Sequence, residues 1–441
     1  MKKLMVFSVI AIMLLTTLFG CTKSETPKSQ TPENTQERVA QDQTEKTDSN
    51  DNGKEISGTI TYLTSQPLYA KNSDSINTEL QKVYPNLDVR IEHISDNYEA
   101  VLKTKMASSN APDIFCWQGY LAMAPFVEDN KVADLSNEGF DKIVFPNFLE
   151  SGKKDGKQYG IPTMMQSLGL LYNKDVFEKA GITELPRTIS ALKEAVEKIK
   201  AIGVQPFTSG LKDQWVCYDL FWFAQTPVID DMMGWYNAMN EGTASFRTER
   251  TEEMFKLFDF IYENSGDKPL SSDFAEMCHQ LASGKAAMAI QGDWAYEETQ
   301  KIDPNANLGM IGLPVSEDPT EATIMADSAE ILFVSEQSEN KVAAIAFIKW
   351  MLSKEGAEYL GSINKTPSTS SLKPVIDLNP FAADASKWIN DGNKAVPFAW
   401  NFWAPGIMDV VGKNMQAYFS GSITLDEFFQ DLDDQWAKTV K

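Results

Sequence analysis

Apolar and polar residues alternate with a period that changes along the chain, and the period names the elements. Ile56-Ser57-Gly58-Thr59-Ile60-Thr61-Tyr62 has the two-residue rhythm of a strand. A helix is predicted around Ile76–Val83, a second strand over Leu87–His93 and a helix over Tyr98–Ser108. Ala111–Trp117, broken early by Pro112, reads as a third strand. Strand–helix–strand–helix–strand implies parallel strands joined by right-handed crossovers. In open α/β sheets ligands bind beyond the carboxyl ends of the strands. Ser65 and Gln66 after the first strand, and Trp117 and Gln118 after the third, are therefore expected on one rim.

Further along, Gly160-Ile161-Pro162 opens a new section and Leu168–Tyr172 is apolar. Ile189, Leu192, Val196 and Ile199 keep one face of a helix that follows Thr188 and ends at Gly203. Helices are also predicted over roughly 250–262 and over Phe274–Ala282. Another runs over Asn340–Ser353, with Val342, Ile345, Ile348 and Leu352 along one side. The last runs over Leu425–Trp436, with Thr424 as its N-cap. Leu281–Tyr296 reads as a helix end, a tight turn, a short apolar strand and a helix start. Gly292-Asp293-Trp294 closes that strand with a bare backbone, an acid and an indole. Asp293 either caps the following helix or faces a ligand, and Gly292 permits close approach of some group to the backbone.

The two ends of the pattern differ from the middle. Leu4–Leu18 is apolar behind Lys2 and Lys3, too short for a stable membrane span, and reads as a leader over 1–20. Leu18-Phe19-Gly20-Cys21 resembles a bacterial lipobox, although Phe19 is larger than the usual residue there. Cys21 is the expected lipidation site, and acyl chains would hold the protein to the membrane. Residues 22–55 have almost no apolar side chains, so the segment from Cys21 onward is expected to be a disordered tether. The remaining body of roughly 385 residues is long enough for two domains.

A net charge of −22 disfavours nucleic acid and anionic lipid as partners. Cys116, Cys217 and Cys278 are odd in number, and are expected as buried free thiols with at most one pair. Cys278 and His279 would point to different sides of a helix. With two histidines in the chain and no C-x-x-C, no zinc site or other cofactor is expected. G-x-S-x-G, H-E-x-x-H, the P-loop and G-x-G-x-x-G are absent, so no catalytic residue is assigned. Carboxylate pairs in so acidic a chain carry no information about glycoside hydrolysis.

Tryptophan and other aromatics gather at predicted loops and element ends: Trp117, Trp215, Tyr218, Trp222, Trp235, Trp294, Trp400 and Trp403. A flat ring covers the C–H face of a pyranose, and carboxylates, amides and backbone groups bond its rim. Asp213 with Trp215, Asp293 with Trp294, and Asn401 between Trp400 and Trp403 supply both chemistries locally. The competing reading for any one of these indoles is a partly buried core residue.

Ordered blocks across the body resemble the family 1 extracellular solute-binding proteins of bacterial ABC importers, which include the maltose-binding proteins. The blocks are Ala111-Pro112-Asp113-Ile114-Phe115 with Trp117, Tyr159-Gly160-Ile161-Pro162, and Leu170 through Gly181. They continue with Pro186 and Thr188, then Gly284-Lys285-Ala286-Ala287-Met288 with Gly292-Asp293-Trp294. Ala343–Phe347, Glu355-Gly356 and Ile423-Thr424-Leu425 complete the series.

The resemblance implies an α/β, two-lobed periplasmic-binding-protein fold of type II-like form, with the ligand cleft between lobes joined by a multi-strand hinge. The lobes would be 56–167 plus 327–370 and 168–326 plus 371–441. Chain crossings are expected near Gln166–Gly169, Met325–Ser328 and Lys365–Leu372. By position, Trp117 matches the aromatic after the third strand, Trp294 a stacking aromatic, and Trp400 or Trp403 the C-terminal one. Gln166 stands where maltose binders carry an acid, and Ser65 and Gln66 replace an Asp-Lys pair, which argues against maltose. Asp327 and Ser328 are added as polar hinge residues facing the cleft.

The implied protein is a monomeric, lipid-anchored receptor on a Gram-positive-type surface, delivering an oligosaccharide to the membrane subunits of an ABC permease. A receptor of the same fold for a polyamine, ferric ion or sugar acid is one alternative, although no adjacent tyrosine pair suits iron. A secreted glycosidase or polysaccharide-binding module is another, and a sensory partner for a kinase a third.

Overall fold

Period-two runs in the first part of the body became strands, and the structure shows what they are packed between. The computed structural model describes residues 56–94, 98–225, 231–365, 369, 378–404 and 406–439. The leader, Cys21, the tether and most of the third crossing lie outside the described residues. The chain divides after Lys54, and everything below concerns the unit Glu55–Lys441.

Its strands are β1 (Ser57–Thr64), β2 (Asn86–His93), β3 (Ile114–Trp117), β4 (Lys153–Lys154), β5 (Lys157–Gln158) and β6 (Gly160–Asn173). They continue with β7 (Gln205–Phe207), β8 (Ala286–Gly292), β9 (Leu308–Ile311), β10 (Ile324–Val334) and β11 (Ala395–Val396). One sheet runs β2-β1-β3-β10-β6-β8-β7, with β11 on β10 and β9 on β6, while β4 and β5 form a hairpin. β1 pairs in parallel with β2 and with β3, as the strand–helix rhythm implies.

Alternate residues of each strand enter different cores. Ile60, Tyr62, Ile114, Cys116, Leu332 and Val334 belong to one cluster, with Phe347 and Trp350. Leu63, Phe115, Ile331 and Phe333 face the opposite layer, with Phe126. In the other half of the sheet, Leu168, Leu170, Met288 and Ile290 join the largest cluster, around Phe221, Phe255 and Trp436. Leu171 and Ala289 face a smaller one with Met277 and Phe381. Each half is thus covered on both faces, and only Gln166 of the fourteen residues of β6 is not buried.

β6 and β10 run through both halves. Met325, Ala326, Asp327 and Ser328 pair with Leu168, Ser167, Gln166 and Met165 in antiparallel register. Past Ser328 the register shifts, and the rest of β10 pairs with β3 on its other edge.

The helix after Thr188 spans Ile189–Ala201, and the Thr188 side chain accepts a hydrogen bond from Ala191 N. The last helix spans Leu425–Thr439. Thr424 Oγ1 accepts from Glu427 N, and the Glu427 carboxylate accepts from Thr424 N, a reciprocal cap. One helix face is corrected. In Lys341–Leu352, Val342 is 66% exposed, and the docked stripe is Ala344, Phe347, Ile348 and Met351. This helix is apolar nearly all round, so periodicity alone does not fix its rotation.

Asp113 ties the start of β3 to its neighbours. Its Oδ2 accepts from Thr61 N and Thr61 Oγ1, both at 2.8 Å, and Oδ1 accepts from Ser338 Oγ and Asn340 Nδ2. Burial pushes its pKa up, but the bonds from Ser338, Thr61 and Asn340 outweigh this and hold it below the usual carboxylate value. A lowered folded pKa stabilises above the unfolded value of about 4 and is lost as pH falls through the folded one. Asp113→Ala is therefore expected to cost about 2 kcal/mol at neutral pH and to flatten acid denaturation, both read from urea midpoints at several pH values.

Candidate functional site

The carboxyl ends of β1 and β3 do converge, and they do so opposite a segment from the far end of the chain. Ser65, Tyr98, Cys116, Trp117, Gln118 and Gly119 line one wall of a cavity of about 350 Å³; Trp400 and Asn401 line the other, with Ser328 between. Glu99 lies at its edge.

Trp117 is held by a hydrogen bond from Nε1 to the Ala122 carbonyl (2.9 Å) and by stacking on Tyr98, with ring centroids 6.3 Å apart. Tyr98 in turn shares its one hydroxyl proton between the carbonyls of Leu63 (3.0 Å) and Cys116 (2.8 Å), near the ends of the two strands beside it. Gly119 is required here: a Cβ would lie 2.1 Å from the Ser151 carbonyl oxygen.

Trp400 sits on a short 3-10 turn, Ala399–Phe402, half-buried and stacked on Trp222 at 6.2 Å. The turn is anchored by Asp327 of β10. Asp327 Oδ2 accepts from Asn401 Nδ2 (2.8 Å) and Phe398 N (3.3 Å), and Oδ1 accepts from Ser328 N (2.7 Å). Burial drives the Asp327 pKa up to about 7 against the lowering effect of these three bonds.

Of the expected site residues, Ser65, Trp117, Gln118 and Trp400 come together. Trp403 is a core residue instead, 8% exposed, with Nε1 donating to Gln225 Oε1 at 2.6 Å and its ring against Phe221. Asp327 is 3% exposed, so it holds the Trp400 turn and does not face the cleft. Asp293 is 1% exposed and does not line the cavity. Its Oδ2 accepts from Ser167 N (3.0 Å) and Oγ (2.8 Å), and its own N donates to the Ser167 carbonyl, which rivets β8 to β6. Burial raises its pKa to about 7.

The group that approaches Gly292 is the ring of Trp294 itself: a Cβ would lie 2.1 Å from its Cζ3. Trp294 is half-buried against the largest core and lines no wall of the cavity. Asp213 accepts from Phe274 N (2.9 Å) and Trp215 packs on the Phe274 ring, so this pair joins two helices away from the cavity. Gln66 begins the helix Pro67–Lys71, and Gln166 lies opposite Asp327 in the central ladder; neither lines the cavity.

Tyr98 was the main omission. It opens the helix Tyr98–Met106 that comes after β2, so the rim rule applied after the second strand points toward it. Cys116, Cys217 and Cys278 are all buried and outside any disulfide, and burial pushes the last two thiols up to about 12.

A continuous sheet bridging two cores, with the cavity at strand ends between them, is the architecture of two-lobed binding proteins. Residues 66–358 match the family model of the bacterial extracellular solute-binding proteins, and the chain belongs to that family. It is similar to an uncharacterised ABC transporter extracellular-binding protein of Pyrococcus horikoshii, 26% identical over 253 residues, covering 55% of this chain and 57% of that one. The chain therefore spans little more than half the length of that relative. It is also 23% identical over 378 residues to the melibiose/raffinose/stachyose-binding protein MelE of Bacillus subtilis, covering 81% and 84% of the two chains. A solved chitin oligosaccharide binding protein superposes with a TM-score of 0.71 at 22% identity, over 87% of this chain and 98% of the other.

A carboxyl whose folded pKa is raised contributes fully below the unfolded pKa and loses that contribution as pH rises through the folded value. For Asp327 this window lies between about 4 and about 7. Asp327→Asn is expected to shrink the fall in Tm between about pH 5 and about pH 8; an unchanged fall would assign it to other groups.

Proposed function

We propose that this protein is an extracytoplasmic carbohydrate receptor that holds an oligosaccharide between Trp117 and Trp400 and presents it to an ABC import permease. The observation that carries the reading is the charge of the cavity. Among the described lining residues the one formally charged group is Glu99, which is exposed and paired with Lys103 at 2.6 Å. What remains is indole, phenol, hydroxyl and amide, the complement of an uncharged polyhydroxylated ring. A polyamine site would need unpaired carboxylates, and a sugar-acid site a cation. The names of MelE and of the chitin oligosaccharide binding protein agree with a neutral sugar.

On this reading the protein binds its ligand without turning it over, as expected of a member of a solute-binding family. The lobes are 56–167 plus 327–370 and 168–326 plus 371–441, and closure of one on the other is driven by contacts that both walls make to one ligand. Cys21, lipidated, anchors a monomer to a Gram-positive-type cell surface.

Intrinsic tryptophan fluorescence of residues 24–441 against melibiose, raffinose, stachyose, chitobiose, chitotriose and chitotetraose tests this. A saturable response is expected for one series, weakened ten- to hundredfold, or about 1.4–2.8 kcal/mol, in Trp400→Ala. Trp403→Ala is expected to lower Tm by contrast. Silence toward every sugar with a response to spermidine or galacturonate would overturn the ligand class.

A further inference from the structure

The cleft continues beyond the Trp117–Trp400 cavity. A second cavity, of about 780 Å³, lies past Tyr120 and Phe402. Consecutive residues serve the two spaces: Gly119 and Asn401 line the first, Tyr120 and Phe402 the second. The Tyr120 and Phe402 rings meet with centroids 4.8 Å apart, so this aromatic pair is the partition.

Tyr120 holds its place at φ 50°, a left-handed conformation that is costly for any residue but glycine. Its ring packs against the core of the opposite half of the sheet, which offsets that cost. Strain maintained by one cross-cleft contact marks a position under functional constraint.

The second cavity is richer in charge than the first, with Glu150, Asp155 and Asp231 set against Lys153, Lys154 and Lys394. Three lysines stand in its wall, and each has an acidic partner: Lys153 with Glu150, Lys154 with Glu128 (3.3 Å) and Lys394 with Glu321 (3.7 Å). Of the other acids in the wall, Asp155 lies 3.6 Å from Lys154 and Asp231 accepts from Gly234 N at 2.8 Å, so the three lysines and three carboxylates sum to no net charge, while Met233 presents an apolar side chain that is 45% exposed. Polar groups beside a bare thioether suit a second stretch of neutral sugar, which offers C–H faces and hydroxyls together. At about 350 Å³ the first cavity lies near the lower bound of small-ligand sites, so a chain seated there has units left over.

We infer that the second cavity receives the distal units of a linear oligosaccharide whose leading units lie at Trp117 and Trp400, and that Tyr120 with Phe402 sets the chain length accepted. This rests on the carbohydrate reading above.

The readout is the ratio of tetrasaccharide to disaccharide affinity within the responding series, stachyose over melibiose or chitotetraose over chitobiose. The ratio is expected to be tenfold or more in the wild type. Ala124→Trp and Met233→Trp fill the second cavity from opposite walls and are expected to bring it near one. Tyr120→Gly removes the partition and suits the positive φ, so the ratio is expected to rise; Tyr120→Phe keeps it. A wild-type ratio near one, or a ratio that survives both filling variants, overturns the length assignment while Trp400-dependent disaccharide binding leaves the carbohydrate reading standing. Silence toward both series overturns the two together.

Discussion

The antiparallel pairing of β6 with β10 is the constraint on which everything else hangs. Each strand has its first half in one core and its second half in another, so the ladder between them belongs to both. Backbone groups in a buried strand must be satisfied, and here they are satisfied only if Met325–Ser328 lies against Met165–Leu168. This fixes Asp327 opposite Gln166 and places Ser328 at the cavity. From Asp327 the order passes to Asn401 and Phe398, hence to Trp400. A hydrogen-bonded carboxyl in the middle of the sheet therefore aims an indole that lies some seventy residues away in sequence.

Much of the frame was legible because two-residue alternation and helix caps are local signals. β1, β2 and β3 could be read from their rhythm, and the parallel order from the intervening helices. The blocks shared with a known family marked crossings near Gln166–Gly169 and Met325–Ser328, but not the length of the strands that contain them. Half of the site followed from one rule, that ligands sit past strand ends; Ser65, Trp117 and Gln118 obey it.

The rest depended on facts that sequence does not contain. Trp400 and Trp403 lie three positions apart on one turn, and only packing decides that one faces the cavity while the other meets Phe221 and Gln225. Asp293 has the residue type of a cap or a ligand group, but a partner 126 residues distant, Ser167, claims it. Val342 fits an apolar stripe that the docked helix turns outward. In each case local chemistry offered two roles and long-range contact chose one.

The three thiols have a distribution that a single-core protein could not have. Cys116 lies in the core beside β1, Cys217 in the largest core of the other half, and Cys278 in the small cluster behind β8. Cys217 and Cys278 are shielded by separate bodies of apolar packing, whereas Cys116 also borders the cavity, its Sγ 3.6 Å from Ser65 Oγ. A thiol-reactive label would accordingly enter them independently, and its rate at each would report how often that region opens. The molecule carries its own local stability gauges in three of the four apolar layers that the central ladder holds together.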